Sequence, residues 1–361
     1  MRVGTLTFHW ASNYGAIMQA YALQRFLVKQ GFETLIIDYV PRRVVIIRLV
    51  QRLIRRDRVE FARERRMRRF RKKHLLLTPR KYRTRVALGR VAGDFDVFIS
   101  GSDQIWNEWF TLHAEGRPTL SYLLDFVGIS AKRVSYAASF GTDRLSAEAE
   151  HVMATCLAEF DAVSVRETSG AEIVNRMGLS AEVVVDPTLL LGAEDYDELL
   201  AEGSTKPVPP FLTYVLHGEQ TTATRVCEYV SAQQFGGRRG SGVGGISVTR
   251  WLARLKNAEF VVTNSFHGAV FCLIFHRPFI VVAVEGIGDS MNGRFMTLLS
   301  AVGLNERMVE TFDSAQIDQL LSTDVDWAGV DVALGALRTK SAGFLLSALH
   351  AAGVASSSPR D

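Results

Sequence analysis

The groups of this 361-residue chain that can hold an anion or move a proton fall just after short apolar runs. His267 is the clearest of them. Residues 258–263 read as a strand, Asn264-Ser265-Phe266-His267-Gly268 follows, residues 269–275 read as an apolar helix, and residues 279–284 as the next strand. That makes one βαβ unit, with the His where a parallel strand ends and a helix presents its free N–H groups. Open α/β sheets bind their ligands there.

Other candidates occupy similar positions. Gly101-Ser102-Asp103-Gln104-Ile105-Trp106-Asn107 follows a strand at residues 95–100. Asp103 can accept protons from sugar hydroxyls and Trp106 can stack on a ring face, the competing reading being a turn with the Trp in the core. Arg166 leaves a strand at residues 162–165 and can grip a carboxylate or phosphate with two parallel hydrogen bonds, or pair with Glu167 or another acid. Arg294 is expected to begin a helix over residues 295–302, where a cation opposes the macrodipole unless an anion accompanies it. Asn13 and Gly15 follow the strand at residues 3–8; backbone N–H groups there can hold an anion, and a ligand-free helix cap is the alternative.

The elements that must position these groups alternate along the chain. Strands are expected at residues 3–8, 32–39, 95–100, 121–126, 134–141, 162–165 and 182–185, with helices at 16–30 and 146–159 and a further one ending near Met177. Such alternation predicts a doubly wound parallel sheet. Turn formers concentrate at residues 203–210, which read as a linker, and a second α/β domain opens with a strand at 211–216 and a helix at 221–234. The glycine-rich residues 235–245 lack the Lys-Ser/Thr ending of a phosphate loop and read as a flexible loop.

Composition limits the class. With 47% apolar and 22% charged residues the chain has the make-up of a globular protein of about two domains. Cys156, Cys227 and Cys272 match no metal spacing and read as buried or free thiols of a reduced compartment. No His, Asp or Glu cluster has ligand spacing, so no metal is expected. The first residues enter a strand without the apolar core and cleavage site of a signal peptide, and no apolar run reaches a membrane span; a cytoplasmic location, at most at the inner face of the membrane, is the expectation.

Charge is unevenly spread. The formal net charge is +4, yet residues 42–73 hold fifteen Lys or Arg against three acids. Within that segment Val44, Val45, Ile46, Ile47, Leu49, Val50, Leu53 and Ile54 recur at helical spacing among arginines, a pattern suited to an anionic membrane surface. A solvated helical insertion is the plain alternative. Nucleic acid is not expected, because no stacking aromatics or known module accompany the charge.

Taken together, Asn13-Tyr14-Gly15-Ala16, Ser100-Gly101-Ser102-Asp103-Gln104-Ile105-Trp106-Asn107, Ser135-Tyr136-Ala137-Ala138-Ser139-Phe140-Gly141, Ser164-Val165-Arg166-Glu167, Val185-Asp186-Pro187-Thr188 and Thr263-Asn264-Ser265-Phe266-His267-Gly268, in this order, resemble the polysaccharide pyruvyl transferase family. The resemblance implies two Rossmann-like α/β domains in a GT-B-like arrangement with a cleft between them. An acceptor-side domain would span residues 1–202 with a basic helical insertion at 42–90, a donor-side domain residues 211–333, and a terminal helix and tail residues 334–361. It implies transfer of pyruvate from phosphoenolpyruvate onto a sugar of an exopolysaccharide or cell-surface glycan, often lipid-linked, as a ketal, with release of phosphate and no cofactor beyond the donor. A nucleotide-sugar glycosyltransferase of the same architecture and a non-catalytic glycan-binding or membrane-associated relative are the alternatives.

By the same resemblance His267 acts as an acid or contacts phosphate, Asp103 takes a sugar hydroxyl, and Arg166 and Arg294 hold the donor's anionic groups. Asn13, Gly15, Ser102, Trp106, Asn264, Ser265 and Gly268 line the substrates. Many members of the family carry Arg-x-His-Gly where this chain has Ser265-Phe266-His267-Gly268, so another cation must stand in for that Arg.

Overall fold

A computed structural model describes residues 1–55, 58–116, 120–129, 131–203, 208–216, 221–286 and 289–354. The middle of the expected linker and the tail beyond residue 354 lie outside the described residues. The chain divides into two compact units. The N-terminal unit comprises residues 1–61, 68–190 and 337–361, and the C-terminal unit residues 62–67 and 191–336.

In the N-terminal unit the chain runs β1 (Arg2–Leu6), α1 (Tyr14–Lys29), β2 (Glu33–Ile36), α2 (Arg42–Arg55), α3 (Arg58–His74), the single turn α4 (Arg85–Leu88), β3 (Val97–Ser100), α5 (Glu108–Glu115), β4 (Lys132–Ser135), α6 (Ala147–Leu157), β5 (Ser164–Val165), α7 (Thr168–Arg176) and β6 (Glu182–Val183). Four strands form a parallel sheet in the order β2-β1-β3-β4, and β5 pairs with β6 in parallel. Bridges from Val134 to Ala162 and from Ala138 to Val165 continue the hydrogen bonding past β4. The register Leu6 opposite Ser100 and Ser100 opposite Ser135 brings the carboxyl ends of β1, β3 and β4 level.

Residues 121–126, expected as a strand, instead form a tight turn with Leu124 at φ 55°, because β3 and β4 pair directly and leave no place for a strand between them. Tyr122 and Leu123 contribute to the core that this unit builds around Phe98, Trp106 and Phe140.

The C-terminal unit contains α8 (Asp197–Gly203), β7 (Phe211–Tyr214), α9 (Thr221–Gln234), β8 (Ser241–Gly242), α10 (Val248–Asn257), β9 (Phe260–Thr263), α11 (Phe266–Ile274), β10 (Phe279–Val282), α12 (Asp289–Ala301), β11 (Met308–Val309), α13 (Ser314–Ser322) and the start of α14 (Trp327–Val354). Its parallel sheet has the order β11-β10-β9-β7-β8. β9 and β10 are buried on every residue, as befits central strands with helices on both faces.

Part of the glycine-rich run is not a loop, since β8 forms the edge of this sheet against β7. A Cβ on Gly240 would come within 2.2 Å of the Thr213 methyl group, so the approach to that edge requires glycine. α14 is long and apolar enough, over Trp327–Ala351, to cross a membrane by length and composition. In the N-terminal unit it behaves as a packing helix: Leu345 and Leu349 are buried, and the Ser341 hydroxyl accepts a hydrogen bond from the Val185 N–H at 3.0 Å.

Candidate active site

In the N-terminal unit the loops after successive strands meet at the carboxyl edge of the sheet, and their polar side chains close into one buried network. Asp186, after β6, is its centre. Its carboxylate accepts from Arg166 Nη1 at 2.9 Å, from Ser102 Oγ at 3.2 Å, and from the N–H and hydroxyl of Thr188 at 3.0 and 2.7 Å. Glu167 continues the network, accepting from Ser139 Oγ at 2.7 Å and from the Phe140 N–H at 3.1 Å. These partners come from four of the sequence motifs. Asp186, Glu167, Ser139 and Thr188 were not picked out from the sequence as site residues, although each lies inside a motif.

Arg166 is therefore not a cation waiting for substrate. It is buried against Asp186 and lies 3.7 Å from Glu167, and of the two readings open in the sequence the ion pair is the one observed. Burial alone would lower its pKa, but Asp186, Glu167 and Asp103 hold the guanidinium above its ordinary value. Ser102 is likewise buried in the network.

Asp103 stands differently. It is half-buried, and its backbone has φ 77°, in the left-handed region that costs a non-glycine residue energy. Across the edge Ala137 has φ 52°. The two strained residues are held in place, Asp103 by the Ser139 N–H donating to its carbonyl at 3.0 Å and Ala137 by its N–H donating to the Ser164 side-chain Oγ at 3.2 Å. Strain of this kind concentrates at functional edges, where the surrounding structure imposes it.

Trp106 requires correction. It is 1% exposed, its ring packs against Phe140 and Phe160, and its N–H donates to the Tyr122 carbonyl at 3.3 Å. With almost none of its ring exposed, it offers no open platform for a sugar. Asn13 and Gly15 also resolve toward the plain reading, because Asn13 caps α1 by accepting from the Gly15 N–H at 2.8 Å, which occupies that donor. A neighbouring pair is closed as well. His9 Nε2 lies 3.3 Å from Asp38 Oδ1, with both side chains buried.

In the C-terminal unit the site is built where β9 passes into α11. Asn264 is buried and clamps the neighbouring strand end: its Oδ1 accepts from the Leu216 N–H at 2.6 Å and its Nδ2 donates to the Leu216 carbonyl at 2.8 Å. Ser265 is the N-cap of α11, accepting from the Gly268 N–H at 3.3 Å. A Cβ on Gly268 would lie 2.5 Å from Thr263 Oγ1 and 3.0 Å from the Tyr214 ring, so glycine there lets the helix rest on its sheet. Asn264, Ser265 and Gly268, expected to line substrate, thus shape the turn that aims the first helical turn.

That turn carries His267. It is 7% exposed and meets the Phe266 ring edge-on, with centroids 5.5 Å apart. Arg294 approaches from α12, its guanidinium 5.7 Å from the centre of the Phe266 ring and 5.6 Å from that of Phe295. α12 begins at Asp289, so Arg294 lies in its second turn and not at its start, and the expected conflict with the macrodipole does not arise. A second amide clamp, missed in the sequence, steadies the same edge: Asn292 accepts from the Val284 N–H at 2.9 Å and donates to its carbonyl at 3.3 Å. Glu285 accepts from the N–H groups of Thr221 and Thr222 at the start of α9, bonds that lower its pKa.

No cysteine is placed to act as a nucleophile. Burial raises the thiols of Cys156 and Cys272 and pushes that of Cys227 up to about 12, and a protonated thiol attacks poorly. Among the described residues no group of three or more His, Cys, Asp or Glu side chains could hold a metal ion.

The fold has wide company among solved structures. UDP-GlcNAc 2-epimerase from Neisseria meningitidis, bound to UDP-GlcNAc, is similar with a TM-score of 0.53 at 9% identity, over 96% of this chain and 100% of that one. UDP-GlcNAc 2-epimerase from Methanocaldococcus jannaschii is similar with a TM-score of 0.54 at 11% identity, over 90% of this chain and 93% of that one. At such identities the likeness shows the fold alone, two Rossmann-like α/β units of the GT-B kind. No curated protein matches the chain. The family model described as polysaccharide pyruvyl transferase matches residues 13–224 and 243–286, a span that includes the Asp186 network and His267 but stops short of Arg294. With well over half of its length matched, the chain belongs to the polysaccharide pyruvyl transferase family and is a transferase.

Proposed function

We propose that the protein transfers pyruvate from phosphoenolpyruvate to two hydroxyls of a saccharide in an exopolysaccharide or cell-surface glycan, forming a ketal and releasing phosphate. The observation that carries this reading is that, within the C-terminal unit, His267 in the first turn of α11 and the Arg294 guanidinium of α12 both lie against the Phe266 ring.

Ketal formation from an enol phosphate needs a proton delivered to the methylene carbon, cations on carboxylate and phosphate, and a base for each attacking hydroxyl. The C–O bond from C2 to phosphate breaks, two C–O bonds form at C2, and the phosphate departs with the electron pair of the bond it loses. His267 is assigned the proton delivery or a phosphate contact, and Arg294 the charge that elsewhere in the family comes from the Arg replaced here by Ser265. Asp103, from the N-terminal unit, is assigned a hydroxyl of the acceptor. Arg166, Trp106 and Asn264 take no direct part: the first balances Asp186, the second fills the core and the third fixes the turn. The reaction so written uses no cofactor beyond the donor.

Thermal-shift titration with phosphoenolpyruvate and, separately, with UDP-GlcNAc tests the donor. The reading expects stabilisation by phosphoenolpyruvate and none by the nucleotide sugar; the reverse would make the protein a glycosyl-transfer enzyme of similar fold.

A further inference from the structure

α2 is amphipathic in an unusual sense, because its apolar face is the one turned to solvent. Val44 is buried and Arg48, one turn on, is half-buried, its guanidinium donating to the Trp10 carbonyl at 2.9 Å and lying 5.5 Å from the Trp10 ring centre. Among the described side chains of α2, those two form the packed stripe. Val45, Ile46, Ile47, Leu49 and Val50 are all exposed, Leu49 by 53%.

The neighbouring helix repeats the pattern. α2 lies against α5, and the Arg43 side chain rests beside Gly116, the C-cap of α5. α5 exposes Trp109 by 59% together with Phe110 and Leu112, while Thr111 and Ala114 face inward. Five aliphatic and three further apolar side chains thus stand in water on two adjoining helices. A monomeric soluble protein rarely tolerates so much apolar surface in one region.

Cations accompany this surface. Arg42 and Arg43 are exposed at the start of α2, and Arg68, Arg69, Lys72 and Lys73 are exposed along α3. α3 is tied to the same place as α2, since Arg71 donates to the Trp10 carbonyl at 3.3 Å.

We infer that α2 and the exposed turn of α5 seat the protein on an anionic phospholipid surface. The aliphatic side chains enter the boundary between headgroups and acyl chains, Trp109 lies at that boundary, and the arginines and lysines meet the phosphates. The charge argues for lipid over the other occupants. A second copy of the chain would bring fifteen basic residues against fifteen, with three acids on each side to offset them. Nucleic acid would engage the cations but leave the exposed aliphatic side chains of α2 without a partner. The inference is independent of pyruvyl transfer, because docking is read without donor or acceptor.

Flotation of the full chain with vesicles of phosphatidylcholine alone, or of equal parts phosphatidylcholine and phosphatidylglycerol, tests it. The protein is expected to float with the anionic vesicles and to be released by salt. Leu49→Glu and Trp109→Ala, on the two adjoining helices, should each weaken binding about 10-fold or more with circular dichroism unchanged; Arg42→Glu with Arg43→Glu should do the same at low salt. Failure of the wild type to bind anionic vesicles at low salt would overturn the inference, as would equal binding by all variants. So would a dimer that Leu49→Glu dissolves, or tight binding of single-stranded RNA, in a protein that ignores vesicles.

Discussion

The guanidinium of Arg294 lies 5.7 Å from the centre of the Phe266 ring, and Phe266 is the residue immediately before His267. The contact joins α12 to the first turn of α11, the turn that carries His267. On the proposed function it supplies, from a separate helix, the charge that the Ser265 position lacks.

If Arg294 holds the donor, Arg294→Ala should raise KM for phosphoenolpyruvate by roughly 10 to 100-fold, the weight of a charge-assisted hydrogen bond, with a smaller effect on kcat. Arg294→Lys should recover only part of this, since an ammonium keeps the charge but loses the planar face that stacks on Phe266. Steady-state kinetics at varied donor concentration decides it, and an unchanged KM for Arg294→Ala would move the donor elsewhere.

Asp103 sets function against stability. Its φ of 77° suits glycine, so Asp103→Gly should stabilise the chain by about 1 kcal/mol while lowering turnover by about 10². Urea unfolding and phosphate release, measured on the same preparation, read the two effects. A destabilised Asp103→Gly protein would give the carboxylate a structural role in place of a chemical one.

Much of this arrangement was legible in the sequence, for reasons that mark the limit of such reading. The helix at residues 221–234 falls where periodicity places it, and Ser146 caps α6 as its position suggests. These are local signals. Arg166 could not be assigned locally, because the acid that neutralises it, Asp186, lies twenty residues away and is brought to it by the pairing of β5 with β6. Trp106 has two readings in the sequence, and only the tertiary core, which leaves it 1% exposed, decides between them. The clamps of Asn264 on Leu216 and Asn292 on Val284 leave no pattern in sequence, since an amide can bond to a strand end or to a ligand with the same atoms. The start of α12 was misplaced because its first turn is polar and lacks the apolar period by which helices are found.

Acid stability should report the His9 and Asp38 pair. Burial alone would raise the Asp38 pKa, but the hydrogen bond and charge of His9, with Lys81 and Arg83, outweigh it and hold the carboxyl below its ordinary value. A lowered folded pKa stabilises above the unfolded value of about 3.9 and is lost as pH falls through the folded value. Asp38→Asn should therefore be less stable than wild type at neutral pH, with the gap closing below about pH 4. Urea midpoints across that range test it, and a gap that widens on acidification would contradict the assignment.

The role of His267 in pyruvyl transfer is tested most directly by phosphate release from phosphoenolpyruvate, in the presence of a glycan acceptor, by wild type and His267→Ala. Release that requires the acceptor and falls by at least ~10² in His267→Ala, with an unchanged melting temperature, is the predicted result. Equal release by the two proteins would contradict it.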